Sequence, residues 1–388
     1  MRQLALLIGI SALALLLSGC WNKEELDESG FVMAVAIDAG KDGRLDLTTQ
    51  MYRPTIGRKG GTGESPSATA NLLIKTSDYS VFEAIRDIPI YLGRKAKWSH
   101  LRIILIGEQL AKNEDIGKLI DFFFRDHEPR PSVSIMIAKG RAEKLLEKQP
   151  AIEQTIGQQL LLTKKETHRI SAKSINTTLL NLALQVNSPQ GDAFVSYVYE
   201  DKEDKKMLNA AGIALIKKGK MKGLLPSKKV EGLVILRDEF TSGVIQIPCQ
   251  DSKRESESFE VLELDTNVKP RLADGKVTVS VLSELDGAIG ELKCTVIKTK
   301  QDEKEFARKI EEQIKKQMLD TIQVLQSHQV DAIGIGNMIA GAAPRKWKSL
   351  KENWGEHFAQ AEFNIRVKIK LMTTGTTIGR PVVSWEEK

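Results

Sequence analysis

"MRQLALLIGISALALLLSGCWNKEELDESG" (residues 1–30) decides whether the rest of the chain folds in lipid or in water. Its apolar run, Leu4 to Leu17, is 14 residues long and contains Gly9 and Ser11. A helix that crosses about 30 Å of hydrocarbon needs roughly 20 apolar residues, so the run is too short. A core helix would show a polar face, and this stretch has none. Arg2, an apolar middle and small residues at the end make the pattern of a secretory leader.

The end of that leader is more specific. Leu17-Ser18-Gly19-Cys20 resembles the bacterial lipobox: an aliphatic residue, two small residues, then cysteine. Small side chains let a peptidase reach the bond between Gly19 and Cys20. Only a thiol accepts diacylglycerol as a thioether, and cleavage frees an α-amine for a further acyl group such as palmitate. Each buried methylene contributes about 0.8 kcal/mol, and two or more chains hold stably where one holds marginally. The expected mature protein is therefore a water-soluble body tethered by Cys20, with 1–19 removed.

The chain has 388 residues, so removal of 19 leaves 369, enough for two or three domains. Net charge is +6, and loss of Arg2 makes it +5. That mild excess suits an anionic membrane surface. No basic helix or aromatic-interleaved patch points to nucleic acid. Cys249 and Cys294 are the other two cysteines. An exported protein is able to pair them, yet spacing alone does not decide between a disulfide and two buried thiols.

The strands and helices predict an α+β protein with mixed sheets and packed helices. Residues 31–38 and 45–52 read as a hairpin around Lys41-Asp42-Gly43. A calcium loop there fails, because Gly40 and Thr49 stand where ligands are required. Residues 55–70, rich in Gly and Ser, read as a loop. A helix is expected at 79–88, ended by Pro89, then a strand in "LRIILIGEQLA". A helix in "EDIGKLIDFFFRD" shares one face among Ile116, Leu119, Ile120 and Phe123, and a strand follows in "PSVSIMIAKG". Helices are expected near 153–163 and 171–185, the second capped by Ser171, before a strand at 193–200.

The charge run "EDKEDKKM" (200–207) reads as a hairpin tip or linker and marks the expected boundary between an N-terminal region, 20–200, and a C-terminal region, 207–388. The first has room for two subdomains. A hairpin at 208–225, a helix near 228–240 and a strand at 243–248 follow. Strands at 258–269, 276–285 and 291–298 read as a meander. The longest helix signal is 302–328, where Phe306, Ile310, Ile314, Met318 and Ile322 form one stripe. Glu311 with Lys315 and Glu312 with Lys316 are favourably oriented pairs on it. "KSLKENWGEHFAQ" reads as a further helix, and "AEFNIRVKIKLMTTG" as a strand.

Catalytic constellations are missing. Five histidines are scattered without metal-ligand spacing, and no nucleophile elbow occurs. "GIGNMIAG" lacks the third glycine of a dinucleotide loop and the lysine of a phosphate loop. No cofactor, metal or enzyme activity is expected.

The segment from the lipobox through "CWNKEELDESGFVMAVAID" resembles the start of the Ger(x)C family of spore germination lipoproteins. "HEPRPSVSIMIAKGRAEKLL", "AGIALIKKGKMKGLLPSKKVEGLVIL" and "VDAIGIGNMIAGAAPRKWKSLKENWGEHFAQAEFNIRVKIKL" resemble further family blocks, in order, over nearly the whole mature chain. Ile216 and Ile335 replace common aromatics and leave the fold undisturbed. The resemblance implies a non-catalytic C subunit of a nutrient germinant receptor. It implies a place on the outer face of the spore inner membrane, beside an integral-membrane A subunit and a transporter-like B subunit. The site residue expected to matter most is Cys20, with Leu17, Ser18 and Gly19 as its processing signal. "KKGKMKG" (217–223) and Lys346, Lys348 and Lys351 are candidates for lipid headgroups, although solvated turns explain them as well. Trp347 and Trp354 are expected in the core. A solute-binding lipoprotein of a transporter is the competing class, and it would show two similar lobes.

Overall fold

The computed structural model describes residues 2–3, 28–52, 71–249, 254–273 and 275–373. Most of the leader, the lipobox with Cys20, and the loop expected at 55–70 lie outside the described residues. The described chain builds two sheets with packed helices, an α+β architecture of mixed sheets.

The larger sheet contains β1 (Ser29–Ala39), β2 (Leu45–Tyr52), β3 (Asn71–Asp78), β4 (Lys95–Lys97), β5 (Ile103–Gly107), β6 (Ser134–Ala138), β7 (Asp192–Glu200), β8 (Leu208–Lys217) and β9 (Lys220–Leu225). Their order is β3-β2-β1-β5-β6-β7-β8-β9, with β4 beside the start of β1. The centre is parallel and both flanks are antiparallel. Central strands IILIG and SIMIA are buried at every residue, as expected of strands covered on both faces. The β1–β2 turn puts Asp42 and Gly43 at φ 53° and 76°, and Arg44 N–H closes it on the Lys41 carbonyl at 3.0 Å. This left-handed pair matches the twist of the flanking strands.

The helix Ile116–Arg125 buries Ile116, Leu119, Ile120 and Phe123 against one face of this sheet, as the spacing predicts. Helices Ala142–Leu146 and Ile156–Ser171 cover part of the other face. The rest of that face meets the helix Ser227–Leu236, which buries Val230, Leu233, Val234, Ile235 and Leu236 in a core shared with the smaller sheet.

The smaller sheet has the order β10 (Gly243–Pro248), β11 (Ser256–Ala273), β12 (Lys276–Glu291), β13 (Glu362–Thr373). β13 runs parallel to β12. One face is covered by the long helix Lys300–Ser327, whose Phe306, Ile310, Ile314, Met318 and Ile322 are buried. A Thr299–Asp302 capping box starts this helix.

Several expectations are corrected. The sequence pattern assigns no element to residues 71–78, where the structure has β3. Pro89 does not end the helical stretch. The first helix is Val81–Arg86, and Pro89 sits in the first turn of a second, Ile88–Leu92, where its missing N–H costs nothing. Ser171 is the last residue of the preceding helix, its hydroxyl donating to Thr167 O at 2.7 Å. The next helix, Leu179–Val186, is capped by Thr178 with Asn181.

The segment 292–298 forms no third meander strand. Glu257, buried in β11, draws the N–H groups of Lys293, Cys294 and Thr295 to its carboxylate at 3.3, 3.1 and 2.7 Å, so they never face a neighbouring strand. Cys249 and Cys294 are disulfide-bonded there, with Cα atoms 6.0 Å apart. Glu312 pairs with Arg308 at 3.6 Å, and Glu311 accepts the Ile369 N–H at 3.1 Å, instead of bonding Lys316 and Lys315. "KSLKENWGEHFAQ" is broken into the end of Pro344–Leu350, a tight turn, and Trp354–Ala359. The charged tip 201–207 joins β7 to β8 within the larger sheet.

Candidate functional site

The groups best placed to do something specific lie where the two sheets meet. The long helix ends at Ser327, and residues 328–334 lead into the helix Ile335–Ala342. Gly334 starts that helix at φ 101°, a conformation that favours glycine. With no side chain at Gly334 to cap the helix, Asp331 takes the role from three residues away. Its carboxylate accepts Gly334 N–H at 2.8 Å, Gly336 N–H at 2.7 Å and the Trp354 indole N–H at 3.2 Å. Gly336 is required by contact, since a Cβ there would lie 2.8 Å from the Trp354 ring. Trp347 packs edge-on against Trp354 at 5.2 Å, and both are buried, as expected.

The larger sheet grips this loop from the other side. Asp192, the first residue of β7, accepts the Asp331 N–H at 2.8 Å, and Gln190 donates to the Asp331 carbonyl at 2.7 Å. Gln190 and Asn337 exchange two further bonds at 3.3 Å each. The Lys217 ammonium, at the end of β8, donates to the Gln329 carbonyl. Arg237 donates to the Ala332 carbonyl at 2.8 Å, pairs with Glu239 at 2.7 Å and lies 4.7 Å over the Phe194 ring. At this joint, the contacts that Gln190, Asp192, Lys217 and Arg237 make with the loop and the helix after it all link residues far apart in sequence.

Burial raises the pKa of Asp331, against the pull of its N–H donors. Burial pushes Asp192 up to about 7, opposed by the Asp331 N–H and the charge of Lys217. A second contact lies nearby, where the central helix crosses the long helix. Gly232 packs on Thr321 and Gln317, and the Thr321 hydroxyl donates to Lys229 O at 2.6 Å. Burial pushes Glu231 there to about 7. Apart from both, Lys164 is fully buried, donates to Ser134 Oγ at 2.7 Å and Thr177 O at 3.1 Å, and is pushed down to about 7 by burial.

This arrangement ties the loop after the long helix to the larger sheet. It holds no nucleophile–base pair, and among the described residues no group of His, Cys, Asp and Glu is placed to hold a metal ion.

The expected site residues fare differently. Cys20, Leu17, Ser18 and Gly19 lie outside the described residues. In 217–223, Lys217 and Lys220 are tied to the carbonyls of Gln329 and Asn113. Lys346, Lys348 and Lys351 are exposed on and just after one short helix. Gln190, Asp192 and Arg237 were missed. Pro189-Gln190-Gly191 reads only as a chain break in sequence, and nothing local marks the other two.

Comparison with known proteins gives the family of the chain. Residues 22–199 match the family model "Spore germination protein N-terminal domain", and residues 211–375 match "Spore germination B3/ GerAC like, C-terminal". The chain therefore belongs to the Ger(x)C family of spore germination proteins. It is 24% identical to spore germination protein KC of Bacillus subtilis, with 96% of this chain and 95% of that protein aligned. It is 25% identical to spore germination protein B3 of the same organism, covering 93% and 96%. The crystal structure of the GerBC protein matches with a TM-score of 0.58 and 21% identity, covering 87% of this chain and 97% of that one, which is a likeness of fold. A role in germination follows from the family.

Proposed function

We propose that this chain is the lipid-anchored, non-catalytic C subunit of a nutrient germinant receptor. It is held by Cys20 on the outer face of the spore inner membrane, beside integral-membrane A and B subunits, and supports the signal transmission that triggers germination. The observation that carries the reading is one of position. The family's N-terminal segment begins at residue 22, two positions after the Cys20 of Leu17-Ser18-Gly19-Cys20, so the processed cysteine would stand just ahead of the family body.

Two further observations support it. A Cys249–Cys294 disulfide is at home outside the reducing cytoplasm. Among the described residues no helix is long and apolar enough to cross a membrane, which suits a body that depends on a tether. The regions 20–200 and 207–388 are proposed as its two working parts, joined by the β7–β8 pairing and the Asp192–Asp331 contact. The two sheets differ in strand number and order, which disfavours the duplicated lobes of a solute-binding lipoprotein.

The test is the mass of the N-terminal peptide of protein taken from spore membranes, together with the response of spores carrying Cys20→Ala. A lipid-modified residue 20, co-purification with polytopic subunits and loss of nutrient response in the variant are expected. An N-terminus still at Met1, or a bare thiol at position 20, contradicts the proposal.

A further inference from the structure

The short helix Ile88–Leu92 sits beside the point where the chain enters the fold. Pro89 occupies its first turn and Gly93 closes it at φ 63°, so both ends are conformationally fixed. Ile88 is buried, and Leu92 packs on Gly30 near the start of β1. The opposite side of this single turn presents Ile90 and Tyr91, 76% and 68% exposed. Arg94 and Lys95 follow at once, both exposed, and the stretch 88–95 contains no acid. β4 then pairs in parallel with β1, Ser29 beside Lys95 and Phe31 beside Lys97, with Glu128 3.7 Å from the Lys97 ammonium.

An exposed isoleucine is ordinary by itself. Its location is what matters here. Eight residues lie between Cys20 and Ser29, and the nine residue steps reach about 30 Å when fully extended. A lipid at Cys20 therefore keeps Ser29, and the turn paired beside it, within about 30 Å of the bilayer. Tyrosine favours the membrane–water interface, and Lys or Arg beside it meets anionic headgroups.

We propose that residues 90–94 form a second membrane contact, with Ile90 and Tyr91 entering the interface and Arg94 on an anionic headgroup. This rests on the proposed anchor at Cys20. Attachment at one point alone leaves the orientation of the body undetermined. A second contact fixes which faces it turns toward partners in the membrane.

The experiment uses the full, lipidated protein in vesicles of phosphatidylglycerol and phosphatidylcholine. An environment-sensitive dye is attached at Tyr91→Cys, and in a control protein at Met207→Cys, a 46% exposed position on the β7–β8 tip. Lipid-borne quenchers should dim the dye at 91 several-fold more than the dye at 207. Arg94→Glu should weaken that quenching by roughly fivefold while flotation with the vesicles persists. Equal quenching at both positions in floating protein overturns the tip contact alone. Burial of the dye only after polytopic receptor subunits are added also overturns it, in favour of a protein occupant. Failure of the unaltered protein to float overturns the tip and the anchor together.

Discussion

The two sheets solve the same burial problem differently. β5 and β6 are buried at every position and lie between helices on both faces. β12 and β13 alternate instead: Val279, Val281, Ile365 and Val367 face inward, while Ser280, Glu284, Arg366 and Lys368 face out. The outer face carries cross-strand pairs, Lys368–Glu284 at 2.6 Å and Lys370–Asp286 at 3.2 Å. The larger sheet is thus shielded from two sides. The smaller one depends mainly on the long helix and the small helices around Trp354, so it should be the region that yields first.

Phe306→Ala tests this most severely. Phe306 is fully buried at the start of the helical stripe, and such truncations cost about 3–5 kcal/mol. Urea unfolding should show that loss, and amide exchange should rise in β12 and β13 well before it rises in β5 and β6. Equal loss of protection in all four strands would erase the distinction between the sheets.

The next largest effect belongs to the disulfide, which secures the smaller sheet where its strand edge gives way to the loop around Glu257. Cross-linking across a separation of 45 residues stabilises by roughly 2–4 kcal/mol. Cys294→Ser should lower the melting temperature and make it insensitive to reductant, while the unaltered protein is weakened by reductant to a similar extent. No response to reductant in the unaltered protein would remove this part of the contrast.

Much of this contrast was legible in the sequence. Continuous apolar runs gave the two-sided strands, alternation gave β13, and the Phe306–Ile322 stripe gave the long helix. Asp42-Gly43 marked the first hairpin because its backbone requirement is local. The joint was not legible, since Asp331 is capped, gripped and buried by Gly336, Trp354, Asp192 and Gln190, whose meeting is purely tertiary. The failed strand at 291–298 has the same cause. Its β-rich residues were outcompeted by one distant carboxylate, Glu257. Cys249 and Cys294 stayed undecided because only the fold fixes their separation.

The joint supplies the smallest expected effect and the one most specific to it. Asp192 has a pKa near 7 in the folded chain against 3.8 for the free side chain, because burial disfavours its charge. Between those values the folded state keeps a proton that the unfolded state has released. Its stabilising contribution is complete below about pH 4 and is lost as pH rises through about 7. Lys164, lowered to about 7, acts in the opposite sense, its contribution being present above about 10.5 and lost as pH falls toward 7. Stability should therefore fall from pH 4 to pH 7 as the raised carboxyls ionise, and the Lys164 contribution opposes any further fall above pH 7. Asp192→Asn should flatten that fall by on the order of 2 kcal/mol, since an amide oxygen still accepts the Asp331 N–H but no longer ionises. Glu231, raised to about 7 at the crossing of the helices, leaves a residual slope in the variant. If Asp192→Asn leaves the whole pH profile unchanged, the buried carboxyl is not titrating at the joint, and the two sheets are held there by hydrogen bonds alone.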